Sequence, residues 1–138
     1  MVVEFEDLPK VEPMLDGGEC WVLVADFHAK VDGMAFTVPA GFVTDGASIP
    51  RFLWRLCGHP LETRRFPIAV LHDWLYDEGA ALGLTRQQVD EIYRDGLVSL
   101  GFSKWAANAE YYAIRLFGGS RWMTSNETTP TKENNEKQ

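Results

Sequence analysis

Residues 64–76 constrain the fold of this chain more than any other segment, because they are apolar around most of a helix. Leu71, His72 and Leu75 lie on one stripe at helical spacing, and further apolar side chains fill the adjoining side. Such a helix has to be central, with other elements packed around it. Burying His72 and Asp73 there is costly unless they are paired, hydrogen-bonded or bound to a cation.

The N-terminal third predicts β-structure. Residues 20–30 (CWVLVADFHAK) are rich in strand formers and roughly alternate, and residues 32–33 (DG) then supply a hairpin turn. Residues 34–38 return as a second strand, while residues 2–6 and 41–44 are shorter strand candidates. Together these segments predict a small antiparallel sheet.

Two further helices follow the apolar one. Thr85 and Gln88 form a capping-box pair that starts the second helix, and Gly101 is placed to end it. The third helix begins at Ser103 and ends at the glycine pair 118–119. These start and stop signals predict three helices of ordinary length after the strands.

The elements together predict an α+β fold, a small antiparallel β-sheet packed on a three-helix unit, in one domain over residues 1–122. Residues 123–138 are predicted to be a disordered polar tail, because they have almost no apolar side chain to bury. We expect no transmembrane segment and no secretion signal, since the apolar runs are short and the start of the chain lacks a basic region. The net charge of −7 argues against a nucleic-acid partner.

The helical hairpin is expected to bring a second acid towards His72. If the first two helices fold back about a loop centred near Ala81, His72 lies nine positions before that point and Asp90 nine after it. Asp90 should therefore face His72. A carboxylate bonded to one imidazole nitrogen fixes the tautomer and leaves the other nitrogen as a base towards water. The spacing thus predicts a His–Asp dyad that needs no Ser or Cys nucleophile.

A polar loop at residues 44–51 (TDGASIPR) offers ligands for a cation. Asp45 precedes Gly46, where the backbone can approach a ligand closely. Asp45, nearby carbonyls and Asp73 would suit a hard, oxygen-preferring ion such as calcium, which polarises an ester carbonyl. The same loop is also typical of a turn and helix cap, in which Asp45 and Ser48 bind local backbone donors.

Four segments carry a resemblance to a known family: residues 38–51 (VPAGFVTDGASIPR), residues 70–77 (VLHDWLYD), the Asp90 helix and residues 112–118 (YAIRLFG). Together they look like the phage and prophage family known as domain-of-unknown-function family 1353, over about residues 21–122. The resemblance implies a phage or prophage origin and supplies no established activity. Without an export signal, the protein is expected in the host cytoplasm or the virion.

A more local resemblance bears on mechanism. The DGAS, HDWLYD and later Asp arrangement is similar to bacterial and parvoviral secretory phospholipases. In those enzymes a His-Asp pair on one helix works with an Asp from a following antiparallel helix, a supporting tyrosine and an upstream calcium loop. Carried over by position, the resemblance implies the base His72, its partner Asp90 and the supporting Tyr76, with Asp73, Asp45 and the Gly46 backbone as calcium ligands.

Two functions remain open from the sequence. One is a phage-encoded accessory protein whose calcium-assisted His–Asp site hydrolyses a lipid or another ester. The alternative is a non-enzymatic virion or host-interaction protein, in which the cluster is a buried network that fixes helix pairing. The enzyme should show an open cleft beside His72, and the scaffold a sealed imidazole. Arg115 can pair with Asp73 or Asp90, and Arg65 is predicted to be surface charge.

Overall fold

The computed structural model describes residues 1–15, 20–44 and 63–123 of the chain. Within these ranges six short strands precede three helices, which confirms the predicted α+β class. The predicted calcium-loop residues Asp45 and Gly46 lie outside the described residues. So does the predicted tail, apart from Met123.

The strands form two antiparallel three-stranded sheets. One has the order β1–β4–β5 and the other the order β2–β3–β6. Their bounds are β1 Val3–Phe5, β2 Val11–Pro13, β3 Trp21–Leu23, β4 Phe27–Val31, β5 Met34–Val38 and β6 Val43–Thr44. Pro13 has no backbone N–H to donate, and it lies in β2 at the edge of its sheet, where a missing donor is tolerated.

The hairpin predicted at Asp32 and Gly33 is confirmed. The φ angles of these residues are 50° and 80°, and a tight two-residue turn that matches the twist of its strands needs two such positive values. The turn sets the register of β4 against β5, in which Val31 faces Met34.

The single strand predicted over residues 20–30 is wrong, because the chain changes sheets in the middle of it. β3 pairs with β2 and β6, whereas β4 pairs with β1 and β5. Between them, Asp26 Oδ1 accepts a hydrogen bond from the Ala40 backbone N–H at 2.8 Å. The Val24 N–H donates to the Lys10 carbonyl at 2.9 Å. These hydrogen bonds lie where the chain passes from one sheet to the other. The alternation of apolar and polar residues does not predict them.

The helices begin and end near their predicted signals. Their bounds are α1 Phe66–Glu78, α2 Arg86–Ser99 and α3 Lys104–Phe117, with a 3-10 turn at Thr63–Arg65 before α1. The Thr85 and Gln88 capping box is present, and the Ser103 side chain caps α3 by accepting from the Ala106 N–H. Gly101, at φ 98°, follows the end of α2. After α3 the chain turns at Gly118 and is helical again over residues 119–123.

Helix α1 is the buried central helix that its composition predicts. It packs against α2 and β6, while α3 and β1 pack on α2. The contact with α2 is close at Gly96, where an added Cβ would lie 2.4 Å from Ile68 Cδ1. The strands and helices share one apolar core. None of the helices described in this chain is both long and apolar enough to span a membrane.

Candidate functional site

The hairpin of α1 and α2 brings His72 and Asp90 together in the core. The Nε2 atom of His72 lies 2.9 Å from Asp90 Oδ1, and both side chains are fully buried. The antiparallel arithmetic about the α1–α2 loop therefore placed this pair correctly. Because the two residues belong to different helices, the contact also fixes the register of α1 against α2.

The carboxylate of Asp90 is the centre of a larger cluster. The Tyr76 hydroxyl donates to Oδ1 at 2.7 Å, and Arg115 Nη1 donates to Oδ2 at 2.9 Å from α3. Arg86, one turn before Asp90 on α2, places its Nε 3.8 Å from Oδ2. The pairing of Arg115 with Asp90 is one of the two that the sequence left open.

The surroundings of Asp90 keep its carboxylate ionised. Burial by itself would raise the pKa of Asp90, but the hydrogen bonds from His72, Tyr76 and Arg115 outweigh it and hold the pKa below its ordinary value. Burial, and then the hydrogen bond to Asp90, raises the pKa of the Tyr76 hydroxyl well above its ordinary value. Tyr76 therefore stays a donor. An ionised carboxylate at Nε2 requires that nitrogen to carry a proton, so any proton transfer at His72 would have to take place at Nδ1.

Two tyrosine rings hold the imidazole in place. The Tyr76 ring centroid lies 4.4 Å from that of His72, and the Tyr93 centroid lies 4.8 Å from it. The His72 side chain has no exposed surface in this conformation. The open cleft expected of an enzyme is therefore not seen beside His72 among the described residues, and any reaction there needs a local opening.

Asp73, the predicted calcium ligand on α1, pairs with an arginine. Its Oδ1 is in contact with Nη2 of Arg121, in the helical segment 119–123. The same guanidinium lies 3.9 Å from Asp77 Oδ1 and 5.9 Å from the Tyr76 ring centroid. Among the described residues no group of three or more metal-binding side chains comes together. This part of the chain alone therefore does not fit a calcium ion.

A second buried ion pair was missed by the sequence analysis. Arg65, predicted as surface charge, is fully buried, and its Nε and Nη2 donate to the two oxygens of Glu110 at 3.0 and 2.8 Å. The Tyr93 hydroxyl donates to Glu110 Oε1 at 2.9 Å. The sequence did hold one indication that Glu110 is buried: it lies at helical spacing from the apolar Ala107 and Ile114 on α3.

Arg86 was also missed, and it links the cluster to the end of α3. Its Nη2 donates to the carbonyl oxygens of Ile114 and Arg115 at 2.8 Å each. These are carbonyls of the last turn of α3, where the negative end of the helix dipole attracts a cation, and the Ile114 carbonyl also accepts from the Gly118 N–H. Arg86 thus holds α3 in the position from which Arg115 reaches Asp90.

A second His–Asp pair lies at the surface of the protein. His28 Nδ1 lies 2.9 Å from Asp7 Oδ2, and both side chains are partly exposed. The hydrogen bond raises the pKa of His28 and lowers the pKa of Asp7. This pair has the same two residue types as the buried dyad, and among the described residues it has no tyrosine or arginine partner of the kind that surrounds Asp90.

Comparison with known proteins places the chain in a family. Two relatives from Sinorhizobium fredii match it: uncharacterized protein y4iH, 32% identical over 102 residues, and uncharacterized protein y4jT, 31% identical over 87 residues. The matches cover 73% and 63% of this chain but 41% and 25% of the relatives, so the chain spans less than half the length of each. No solved structure matches it significantly. The family of proteins of unknown function DUF1353 matches residues 21–114, and the chain belongs to that family.

Proposed function

We propose that this protein is a hydrolase in which His72 activates water for attack on an ester carbonyl. The single observation that carries the proposal is the 2.9 Å contact between His72 Nε2 and Asp90 Oδ1 across two helices. It gives a buried imidazole with a fixed tautomer and an ionised partner, which is the arrangement that a general base needs. The similarity to secretory phospholipases supports a lipid ester as the first substrate class to test.

In the proposed reaction, His72 Nδ1 takes a proton from water while the water oxygen bonds to the ester carbonyl carbon. The carbonyl electron pair moves to its oxygen and gives a tetrahedral intermediate. When the carbonyl re-forms, the bond to the alcohol oxygen breaks and that oxygen takes the proton from His72. The products are a carboxylic acid and an alcohol, and the histidine is neutral again.

The remaining residues of the cluster support this cycle without touching substrate. Asp90 stabilises the imidazolium that forms after proton transfer, and it orients the ring through Nε2. Tyr76 and Arg115 hold the carboxylate by its two oxygens, so that it cannot rotate away from His72. A general base typically contributes about 10²- to 10⁴-fold to the rate, and that is the contribution expected of His72.

The proposal includes calcium as a cofactor, held by Asp73 with Asp45 and the Gly46 backbone. Asp73 would supply a hard carboxylate oxygen, the ligand type that calcium prefers. When bound, the ion would stabilise negative charge on the carbonyl oxygen. Because Arg121 already pairs with Asp73, calcium has to displace this guanidinium before it can bind.

The proposal extends to the setting of the protein. The resemblance to phage and prophage proteins supports a phage-encoded accessory protein that acts in the host cytoplasm or travels in the virion. Its partners would then be a lipid or other ester substrate, or a phage or host protein. Fractionation of an induced lysogen and of purified particles tests this part of the proposal.

A second candidate function is supported by specific contacts. His72 is fully buried, and Asp73 is paired with Arg121. Both observations favour a buried polar network that fixes how α1, α2 and α3 pack, in a non-enzymatic virion or host-interaction protein. In that case substitution of His72 lowers the free energy of unfolding, and there is no hydrolytic activity for it to reduce.

One assay separates the two candidates. Wild type, His72→Gln and His28→Gln are incubated with phospholipid vesicles and soluble short-chain esters, with calcium or with a chelator, and acid release is followed. His28→Gln is the matched control, because it removes the histidine of the surface His–Asp pair. We expect hydrolysis by wild type and His28→Gln, and a loss of at least about 10²-fold in a folded His72→Gln. Equal rates in a folded His72→Gln, or no hydrolysis of any ester by wild type, contradict the hydrolase.

A further inference from the structure

Helix α3 presents a row of large apolar side chains to solvent. Trp105, Tyr112 and Leu116 are 67%, 64% and 77% exposed, and Ala109 lies between them on the same side. We call these residues Trp105, Ala109, Tyr112 and Leu116 the α3 stripe. The opposite side of α3 holds the buried Ala107, Glu110 and Ile114, so the stripe is not the face that packs on the core.

The spacing of the α3 stripe is that of a helix-pairing seam. Its members are separated by four, three and four residues, which are the steps between successive a and d positions of a heptad. Single exposed apolar residues are common on protein surfaces, but a continuous row marks an interaction site. Trp and Tyr are also among the residues that contribute most at protein interfaces.

We propose that the α3 stripe is the interface between two copies of this chain, paired antiparallel about a two-fold axis. An axis between residues 110 and 111 sets Trp105 against the partner's Leu116 and Ala109 against the partner's Tyr112. In this register the small Ala109 faces the large ring of the partner's Tyr112. At the two ends of the seam, Trp105 of each copy packs against the partner's Leu116. The surface is thus complementary to itself, which is what a two-fold interface requires.

Charge favours a second copy over a lipid surface as the occupant. The α3 stripe has no charged member, so pairing two copies brings no like charges together along the seam. An anionic membrane would need basic residues beside the stripe. On α3 itself, Lys104 and Arg115 flank the stripe, and Arg115 is held by Asp90 at 2.9 Å.

The size of the α3 stripe predicts a weak dimer. It extends over about 16 Å of helix, at 1.5 Å per residue. With aromatic side chains of about 150–250 Å² each, roughly two-thirds exposed, it offers on the order of 400 Å² per copy. The total of about 800 Å² lies below the range of stable complexes, which predicts association that depends on concentration. The inference does not depend on the proposed hydrolase activity.

Sedimentation equilibrium tests the dimer. We expect the weight-average mass of wild type to rise with concentration towards twice 15.6 kDa. Tyr112→Glu should stay monomeric, because its carboxylate would face an apolar surface. Met34→Glu is the matched control, since Met34 is 62% exposed on β5 and gains the same charge. A wild type that stays monomeric up to millimolar concentration overturns the proposal, and so does a Tyr112→Glu variant that dimerises like wild type.

Cross-linking tests the register. Ala109→Cys and Tyr112→Cys are made separately in a background that carries Cys20→Ser and Cys57→Ser, then mixed and oxidised. The antiparallel register predicts more disulfide-linked dimer in the mixture than in either variant alone. Equal linking in all three samples overturns it. If monomeric wild type binds anionic vesicles and Tyr112→Glu does not, the α3 stripe belongs to a lipid surface and the dimer is wrong.

Discussion

The buried pair of Arg65 and Glu110 offers a perturbation whose magnitude follows from the structure. Glu110→Gln keeps the size of the side chain and removes its charge, which leaves the Arg65 guanidinium in the core without this carboxylate. Both side chains are fully buried, so water cannot take the place of the lost partner. Removal of one partner of a buried ion pair costs about 3–5 kcal/mol. That is a large fraction of the roughly 5–15 kcal/mol that stabilises an ordinary domain.

Urea denaturation followed by tryptophan fluorescence measures this loss, since the chain has five Trp. The matched control is the double variant Arg65→Met with Glu110→Leu, which removes both charges together. It should unfold at a higher urea concentration than Glu110→Gln, because it leaves no guanidinium buried without the Glu110 carboxylate. If Glu110→Gln loses less than about 1 kcal/mol, the pair behaves like an exposed ion pair and our reasoning about its burial is wrong.

Three further predictions concern the site and its packing. Calcium should raise the melting temperature of Arg121→Gln more than that of wild type and should not affect Asp73→Asn; equal shifts in all three would exclude competition at Asp73. The pKa of Asp90 is lowered in the folded state, so its contribution to stability is present above about pH 4, the ordinary carboxyl pKa, and is lost as the pH falls through the folded pKa. The difference in unfolding free energy between wild type and Asp90→Asn should therefore shrink in acid, and a difference that does not change with pH would contradict this. Gly96→Ala should destabilise by about 1–3 kcal/mol through its clash with Ile68, and the same substitution should cost less in an Ile68→Ala background, where the clashing atoms are absent; a Gly96→Ala variant as stable as wild type would show that α1 and α2 can move apart.

Much of the helical part could be predicted because its signals are local. The capping box of Thr85 and Gln88 and the cap at Ser103 are set by residues within one turn. The pairing of His72 with Asp90 could also be predicted from nearby sequence, because the register of two antiparallel helices joined by a short loop can be counted from the loop. The site geometry on the hairpin therefore needed no long-range information.

The features that escaped prediction depend on contacts between distant segments. The switch of the chain between two sheets after Leu23 depends on which strands lie beside it. Arg65 reaches a glutamate 45 positions away, and nothing next to it in the sequence distinguishes it from a surface arginine. Arg121 could not be assigned to Asp73, because its helical segment lies beyond the glycine pair that was expected to end the domain's last helix.

The central claim is that His72 can meet water while Asp90 holds it, and hydrogen exchange at the imidazole Cε1 tests this most directly. The protein is incubated in deuterated buffer and the exchange of His72 is compared with that of His28 by mass spectrometry. His28 is the internal reference, because its side chain is partly exposed. Our account predicts that His72 exchanges measurably in the folded protein, through local opening of the packing around its ring. Exchange at His28 with none at His72 would contradict it, because an imidazole that water never reaches cannot activate water.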